Sequence, residues 1–95
     1  MVYYEETKTN TNIYGHMSDD IKIEIAFANS YKVIILGVNW EDIMDGDFPY
    51  FIHNPARRVP KVKDIRELYK YYTETRDFKK CIAIRNYIKE KQITL

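Results

Sequence analysis

The sequence predicts an α+β fold, with a small antiparallel β-sheet in the N-terminal half and an antiparallel helical hairpin at the C-terminus. Apolar residues alternate with polar or small residues over 21–28, as in a strand with one buried face. After residue 62, apolar residues recur three and four positions apart in two segments, as in amphipathic helices. A length of 95 residues suits a single domain, with a mainly β part at 1–48, a connecting loop at 49–61 and the hairpin at 62–93.

The predicted sheet has two or three strands. Residues 21–28 form the first strand. The run at 31–38 is rich in β-branched residues and apolar on both faces, which is typical of a central strand. Asn29 and Ser30 lie between these two runs and are the predicted turn of a hairpin. Residues 2–8 are expected to add the third strand.

A short helix and an irregular connection are predicted between the sheet and the hairpin. Asn39 can cap a helix over residues 40–45, because its side-chain oxygen can accept a backbone N–H of the first turn. Gly46 would end that helix. The connection that follows contains three prolines and no clear period, so we expect a surface loop. A loop of this length is uncommon unless it packs or functions.

Two amphipathic helices are predicted beyond residue 62, joined by a short turn. Asp77 is the expected N-cap of the second helix, because its carboxylate can accept free amide hydrogens of the first turn. So short a link favours an antiparallel hairpin with both apolar faces turned the same way. The stripe predicted for the first helix contains Val62, Ile65, Leu68, Tyr69, Tyr72 and Arg76. The stripe predicted for the second contains Phe78, Cys81, Ile82, Ile84, Arg85 and Ile88.

The stripe of the second helix is also a local motif, in which a Phe opens the helix and an aliphatic–Arg pair follows six positions later. With these residues, the segment 62–92 resembles the UVR motif, the helical hairpin of the excision-repair B and C subunits and of some stress-adaptor proteins. Asn86 stands where that family usually has Asp, and Lys79 stands where it usually has Glu. The resemblance implies a hairpin that mediates protein–protein contact, often with a second copy of itself.

The surface expected to meet a partner protein lies on this hairpin. The chain has nine tyrosines, and Tyr suits contact surfaces because it covers apolar area while keeping a polar tip. Arg85 has two interpretations: its guanidinium bonds a carboxylate or helix-end carbonyls inside the molecule, or it reaches a partner. The expected partner-binding residues are Tyr71, Tyr72, Arg76, Phe78, Lys79 and Arg85.

Charge is divided along the chain. Residues 1–48 carry three bases and nine acids, a net charge of −6, and residues 49–95 carry twelve bases and five acids, a net charge of +7. The basic cluster is either a solvated helix face or a surface for an anionic partner, a protein or a nucleic acid. The residues expected to bind such a partner are Arg57, Arg58, Lys61, Lys63, Arg66 and Lys70.

Several function classes are not expected. The two histidines, His16 and His53, have no metal-ligand spacing, and the three glycines form no phosphate-binding motif, so we expect no enzyme, cofactor, metal or small-molecule substrate. The N-terminus lacks a signal-peptide pattern, and no apolar run could cross a membrane. A single cysteine, Cys81, cannot form an intrachain disulfide and favours the cytoplasm.

The sequence therefore predicts a small non-enzymatic interaction module or regulator that docks through the UVR-like hairpin onto another protein or onto itself. A small chain of this kind also fits a phage-encoded inhibitor of a host protein. The alternative is a nucleic-acid-binding protein that uses the basic segment 57–70, with tyrosines available for stacking.

Overall fold

The computed structural model describes residues 18–46, 48–57 and 59–94. Over these residues the regular structure consists of four α-helices, with no β-sheet. The helices are α1 (Asp19–Ile34), α2 (Trp40–Met44), α3 (Val62–Glu74) and α4 (Phe78–Glu90). The α+β prediction is therefore wrong, and the described part of the chain is all-helical. The strand predicted over 2–8 lies outside the described residues.

A single long helix, α1, takes the place of the predicted β-hairpin. It begins at Asp19 and is capped by Ser18, whose hydroxyl accepts the backbone N–H of Ile21 at 3.3 Å. Two aspartates in its first turn stabilise the helix, because their negative charges lie at the positive end of the helix dipole. The alternating isoleucines do not mark a buried face, because Ile21 and Ile23 are 49% and 39% exposed. The buried residues of α1 have helical spacing and are Ala26, Asn29, Ser30, Tyr31 and Ile34.

The segment predicted as a central strand is the end of α1 followed by a turn. Gly37 has a φ of 74°, a left-handed conformation that glycine adopts without steric cost. The N–H of Val38 donates to the carbonyl of Lys32 at 2.9 Å, which brings the chain round towards α2. Tyr31 and Ile34 are buried on one helical face, so packing overrides the strand preference of the β-branched residues in this run.

Asn29 and Ser30 hold the connection between α2 and α3 against α1. The Nδ2 of Asn29 donates to the carbonyls of Phe48 at 2.8 Å and Tyr50 at 3.0 Å. The hydroxyl of Ser30 accepts the backbone N–H of Ile52 at 2.9 Å. The sequence suggested a turn here because such side chains often bond their own local backbone. In the folded chain they bond a distant segment instead.

The connection is partly buried, so the prediction of a surface loop over 49–61 is wrong for its first half. Phe51 and His53 are 1% and 3% exposed, and their rings meet edge to face with centroids 5.9 Å apart. The hydrogen bonds to α1 satisfy part of the backbone of this segment, which allows an irregular chain to be buried. In the second half of the connection, from Ala56 to Lys61, the described residues are mostly exposed.

The short helix and the two C-terminal helices are confirmed. Asn39 caps α2, and its side-chain oxygen accepts the N–H of Glu41 at 3.0 Å. Asp77 caps α4 and accepts the N–H of Lys80 at 3.4 Å. Between α3 and α4 the turn passes through Arg76, whose φ of 61° places it in the left-handed region.

The core lies where α1 and α4 pack against α3. At its α1 side, the rings of Phe27 and Tyr71 stack with centroids 4.0 Å apart and an interplanar angle of 4°. At its α4 side, the hydroxyl of Thr73 lies 3.6 Å from the sulfur of Cys81. Burial of each large apolar side chain stabilises the fold by about 1.5–3 kcal/mol. The buried residues of the cluster are Tyr31, Ile34, Ile65, Leu68, Tyr72, Cys81 and Ile84.

We expect the substitution Ser30→Ala to lower the free energy of unfolding by about 1–3 kcal/mol, because it leaves buried polar partners without a hydrogen bond. The partners are the N–H of Ile52 and the Nδ1 of His53. Urea unfolding at neutral pH measures the effect. A loss below about 0.5 kcal/mol is typical of surface substitutions. It would contradict the inference that Ser30 holds the connection against α1.

Candidate functional site

Among the described residues, α4 is covered on one side only, because its main packing partner is α3 and α1 packs mainly on α3. Cys81 and Ile84 are its buried residues. Ile82 lies about 160° round the helix from Ile84 at 100° per residue. Phe78 and Ile82 are 61% and 56% exposed. The predicted stripe of α4 is therefore wrong for both of these residues.

The uncovered side combines large apolar groups with cations. We name it the exposed α4 face, and its residues are Phe78, Lys79, Ile82, Arg85, Asn86 and Lys89. Its three cations have no carboxylate within ion-pair distance in the described part of the chain. The interpretation of Arg85 as an internally paired residue is therefore wrong, since its side chain is exposed and unpaired. Glu90, at the C-terminal end of α4, is also exposed.

Two grooves continue this surface. One, of about 560 Å³, runs beside Ile82 and Arg85 and is walled by Tyr69 of α3 and Ile93 beyond α4. The other, of about 440 Å³, has Lys79 and Leu36 among its lining residues, and Leu36 is 59% exposed. Both grooves add apolar area next to cationic side chains, so the surface offers more than an isolated exposed phenylalanine.

Lys80 differs from the cations of the exposed α4 face because internal contacts hold it. Its Nζ lies 2.8 Å from Oδ2 of Asp77. The same Nζ lies 5.6 Å and 5.4 Å from the ring centroids of Tyr31 and Tyr72, within the range of cation–π attraction. The hydrogen bond from Lys80 lowers the pKa of the Asp77 carboxyl below its ordinary value. Lys80 thus joins α4 to the aromatic core.

The structure separates the six predicted partner-binding residues into two groups. Phe78, Lys79 and Arg85 lie on the exposed α4 face, and Arg76 is exposed in the turn before α4. Tyr71 stacks on Phe27 of α1 and is half-buried, and Tyr72 is buried in the core. Burial raises the pKa of both tyrosines above the ordinary value. These two tyrosines pack inside the fold, and Tyr72 has almost no exposed surface to offer a partner. The pattern missed Ile82 as a surface residue, because it fits an apolar stripe.

The predicted basic cluster is exposed and spread along the start of α3 and the chain before it. Lys63, Arg66 and Lys70 lie on one side of α3. Arg57 and Lys61 precede the helix and are also exposed, and none of these five has an ion-pair partner in the described ranges. Arg58 lies outside the described residues. Glu67 and Glu74 are exposed on the same side of α3, so the cluster is interrupted by acids.

His53 is part of a buried hydrogen-bond network that the sequence did not reveal. Its Nδ1 lies 2.7 Å from the hydroxyl oxygen of Ser30, which already accepts the N–H of Ile52. No other acceptor for the Ser30 hydroxyl hydrogen is found among the described residues, so we assign this hydrogen to the bond with Nδ1 and the ring hydrogen to Nε2. Burial lowers the pKa of His53, and the nearby Asp64 carboxylate opposes this in part. His53 is therefore neutral at pH 7.

We expect His53 to make the chain less stable in mild acid. Its pKa is about 6.5 in the unfolded chain and lower in the folded one, so protons favour the unfolded state below that pH. The stabilising contribution is complete above about pH 6.5 and is lost as the pH falls through the folded-state pKa. Urea unfolding at several pH values between about 8 and 5 measures it.

The matched comparison is between His53→Asn and His16→Asn. Asparagine keeps a hydrogen-bonding group near the position of Nδ1 but does not titrate. The first variant should lose part of the pH dependence, and the second should keep the part that belongs to His53. An unchanged pH dependence in His53→Asn would show that the ring titrates alike in both states.

The described residues contain no group of three His, Cys, Asp or Glu side chains that could hold a metal ion. None of the helices in these ranges is long and apolar enough to span a bilayer. A comparison of the chain with known proteins found no matching family model, curated protein or solved structure. The resemblance of residues 62–92 to the UVR motif therefore stays a prediction from the sequence.

Proposed function

We propose that the chain is a small non-enzymatic interaction module or regulator that docks onto a partner protein through the exposed α4 face. The observation that carries this proposal is the exposure of Phe78 and Ile82, one helical turn apart. Large aromatic and aliphatic groups left in water by a small fold commonly serve as contact anchors. Arg85 lies beside them, and Arg is enriched at the energetic centre of interfaces.

The chemistry of the partner follows from the charges around these anchors. Lys79, Arg85 and Lys89 surround the apolar pair and have no carboxylate partner within the described ranges. A complementary surface therefore has an apolar centre and an acidic rim. An amphipathic helix with acidic flanks fits this description and could also enter the groove beside Tyr69. The UVR-like character of the hairpin supports the same role, and we place the protein in the cytoplasm.

Docking onto a second copy of the chain is less favourable on electrostatic grounds. In a two-fold symmetric dimer built on the exposed α4 face, the same patch meets itself. The three cations would then face their own copies across the interface, with Glu90 as the nearby opposite charge. We therefore favour a different, acidic protein as the partner. Sedimentation of the free chain at millimolar to micromolar concentration tests this choice. A dimer that the substitution Phe78→Ala dissociates would show that the exposed α4 face binds a second copy of the chain and not an acidic protein.

Site-specific photo-crosslinking in the native host tests the proposed function. A photoreactive phenylalanine at position 78 should capture one protein through a segment that is apolar and acidic. The matched control places the same group at Val59, which is 73% exposed and precedes the other end of α3. Since α3 is about 20 Å long, the two positions report different surfaces. Equal capture at both positions, or capture through a basic segment, would contradict the proposal.

Nucleic-acid binding remains the second candidate, because Lys63, Arg66 and Lys70 are exposed together without ion-pair partners in the described chain. The placement of Tyr71 and Tyr72 weakens it, since neither ring is free to stack on a base. If the chain binds nucleic acid, its affinity for an oligonucleotide should fall steeply as the salt concentration rises. The joint substitution of these three cations by Gln should also lower it. Binding that depends weakly on salt and on these cations would exclude it.

A further inference from the structure

A third concave site lies where α1, the connection and the start of α3 meet. It has a volume of about 540 Å³, within the usual range for small-molecule sites. Ile23, Phe27 and Ile52 supply its apolar wall, and His53 and residues at the start of α3 also line it. We name it the His53 pocket. None of its lining residues belongs to the exposed α4 face.

The polar group that points to a ligand is the imidazole of His53. His53 as a whole residue is 3% exposed, and its Nδ1 is bonded to Ser30. Its Nε2 has no hydrogen-bond partner in the described part of the chain, yet it is not sealed from solvent. His53 lines the pocket, and Nε2 is the polar side-chain atom that it has free for a ligand there. Because Ser30 fixes the hydrogen on Nε2, the pocket contains a rigid, oriented donor.

The electrostatics of the pocket favour an anion. Arg57, Lys61 and Lys63 line it, and none of them is paired with a carboxylate among the described residues. Asp64 and Glu67 also line it, so the three cations and two carboxylates leave a net charge of +1, and the Asp64 carboxylate accepts the backbone N–H of Lys61 at 3.2 Å. The helix α3 begins at Val62, beside these pocket residues, and the positive end of its dipole adds to the positive potential.

We propose that the His53 pocket binds a small organic anion, with its carboxylate or phosphate head at the His53 Nε2–H and the cations and its apolar body against Ile23, Phe27 and Ile52. Neutral His53 donates the hydrogen bond, and Lys61 and Lys63 supply charge. The apolar wall selects against a bare inorganic ion. This site is independent of the docking function, so either proposal can fail without the other.

Titration of the ¹⁵N,¹³C-labelled chain by NMR tests this assignment, with phenyl phosphate and benzoate as the two probes. We expect one or both to shift the Nε2 signal of His53 and the methyl signals of Ile23 and Ile52 in a saturable way. The choice between the probes identifies the head group. Inorganic phosphate and benzyl alcohol, which carry only the head or only the body, should bind at least about tenfold more weakly.

The variant Lys61→Gln/Lys63→Gln should weaken probe binding about tenfold, because two charges at the pocket are lost. Both side chains are exposed, so the fold should survive. The matched control Lys79→Gln/Lys89→Gln removes equal charge from the exposed α4 face and should leave binding unchanged. The proposal is overturned if neither probe moves the His53 signal up to about 10 mM. It is also overturned if benzyl alcohol binds as well as the anions, or if both double variants weaken binding equally.

Discussion

The substitution Ile84→Ala is expected to lower the free energy of unfolding by about 2–5 kcal/mol, because it removes buried apolar atoms and leaves a cavity. Ile84 lies on α4 and is fully buried in the core. A small domain has a total stability of about 5–15 kcal/mol, so this loss is a large fraction of it. Urea unfolding followed by circular dichroism measures the change in midpoint.

The matched control is Ile82→Ala, which removes the same atoms from the same helix two positions away. Ile82 is 56% exposed, so its loss should change stability by no more than about 0.5 kcal/mol. The contrast between two isoleucines of α4 tests which side of the helix is buried. Similar losses at both positions, or a larger loss at Ile82, would contradict the orientation of α4.

The substitution Phe78→Ala is expected to weaken partner binding by about 30-fold or more, which corresponds to about 2 kcal/mol. The reason is that Phe78 is the largest apolar group of the exposed α4 face, and burying an aromatic side chain at an interface supplies much of the binding energy. Isothermal titration with the partner recovered by crosslinking at position 78 measures the affinity.

Two controls separate docking from folding in this experiment. The unfolding free energy of Phe78→Ala should stay within about 0.5 kcal/mol of the parent, since the ring is 61% exposed. The variant Val59→Ala, which removes an exposed apolar group elsewhere, should bind the partner as the parent does. An affinity of Phe78→Ala equal to that of the parent would remove Phe78 from the contact.

The C-terminal half of the fold could be predicted because its signals are local. Asp77 caps α4 and the apolar period of α3 matches its buried residues Ile65 and Leu68, so the hairpin could be read from spacing alone. The rotation of α4 could not be read in the same way. The predicted stripe was wide, and which part of it is covered depends on how α4 packs against α3.

The N-terminal half was mispredicted because its buried polar residues hide the helical period. Asn29 and Ser30 sit in the middle of the buried face of α1, where a sequence pattern takes them for a turn. Their role depends on the segment at 48–53, which they bind across more than eighteen positions. The alternation that includes Ile21 and Ile23 predicted a strand with one buried face, but both side chains are exposed on a helix. The His53 pocket follows from the same long-range contact and has no local signature.

Methyl NMR of the chain with its captured partner tests the docking surface most directly. The methyl signal of Ile82 should shift or broaden as the partner is added, because that side chain lies beside Phe78 on the exposed α4 face. The signals of Ile23 and Ile52, which line the His53 pocket, should stay in place. An unmoved Ile82 signal with displaced Ile23 and Ile52 signals would contradict the assignment of α4 as the docking element.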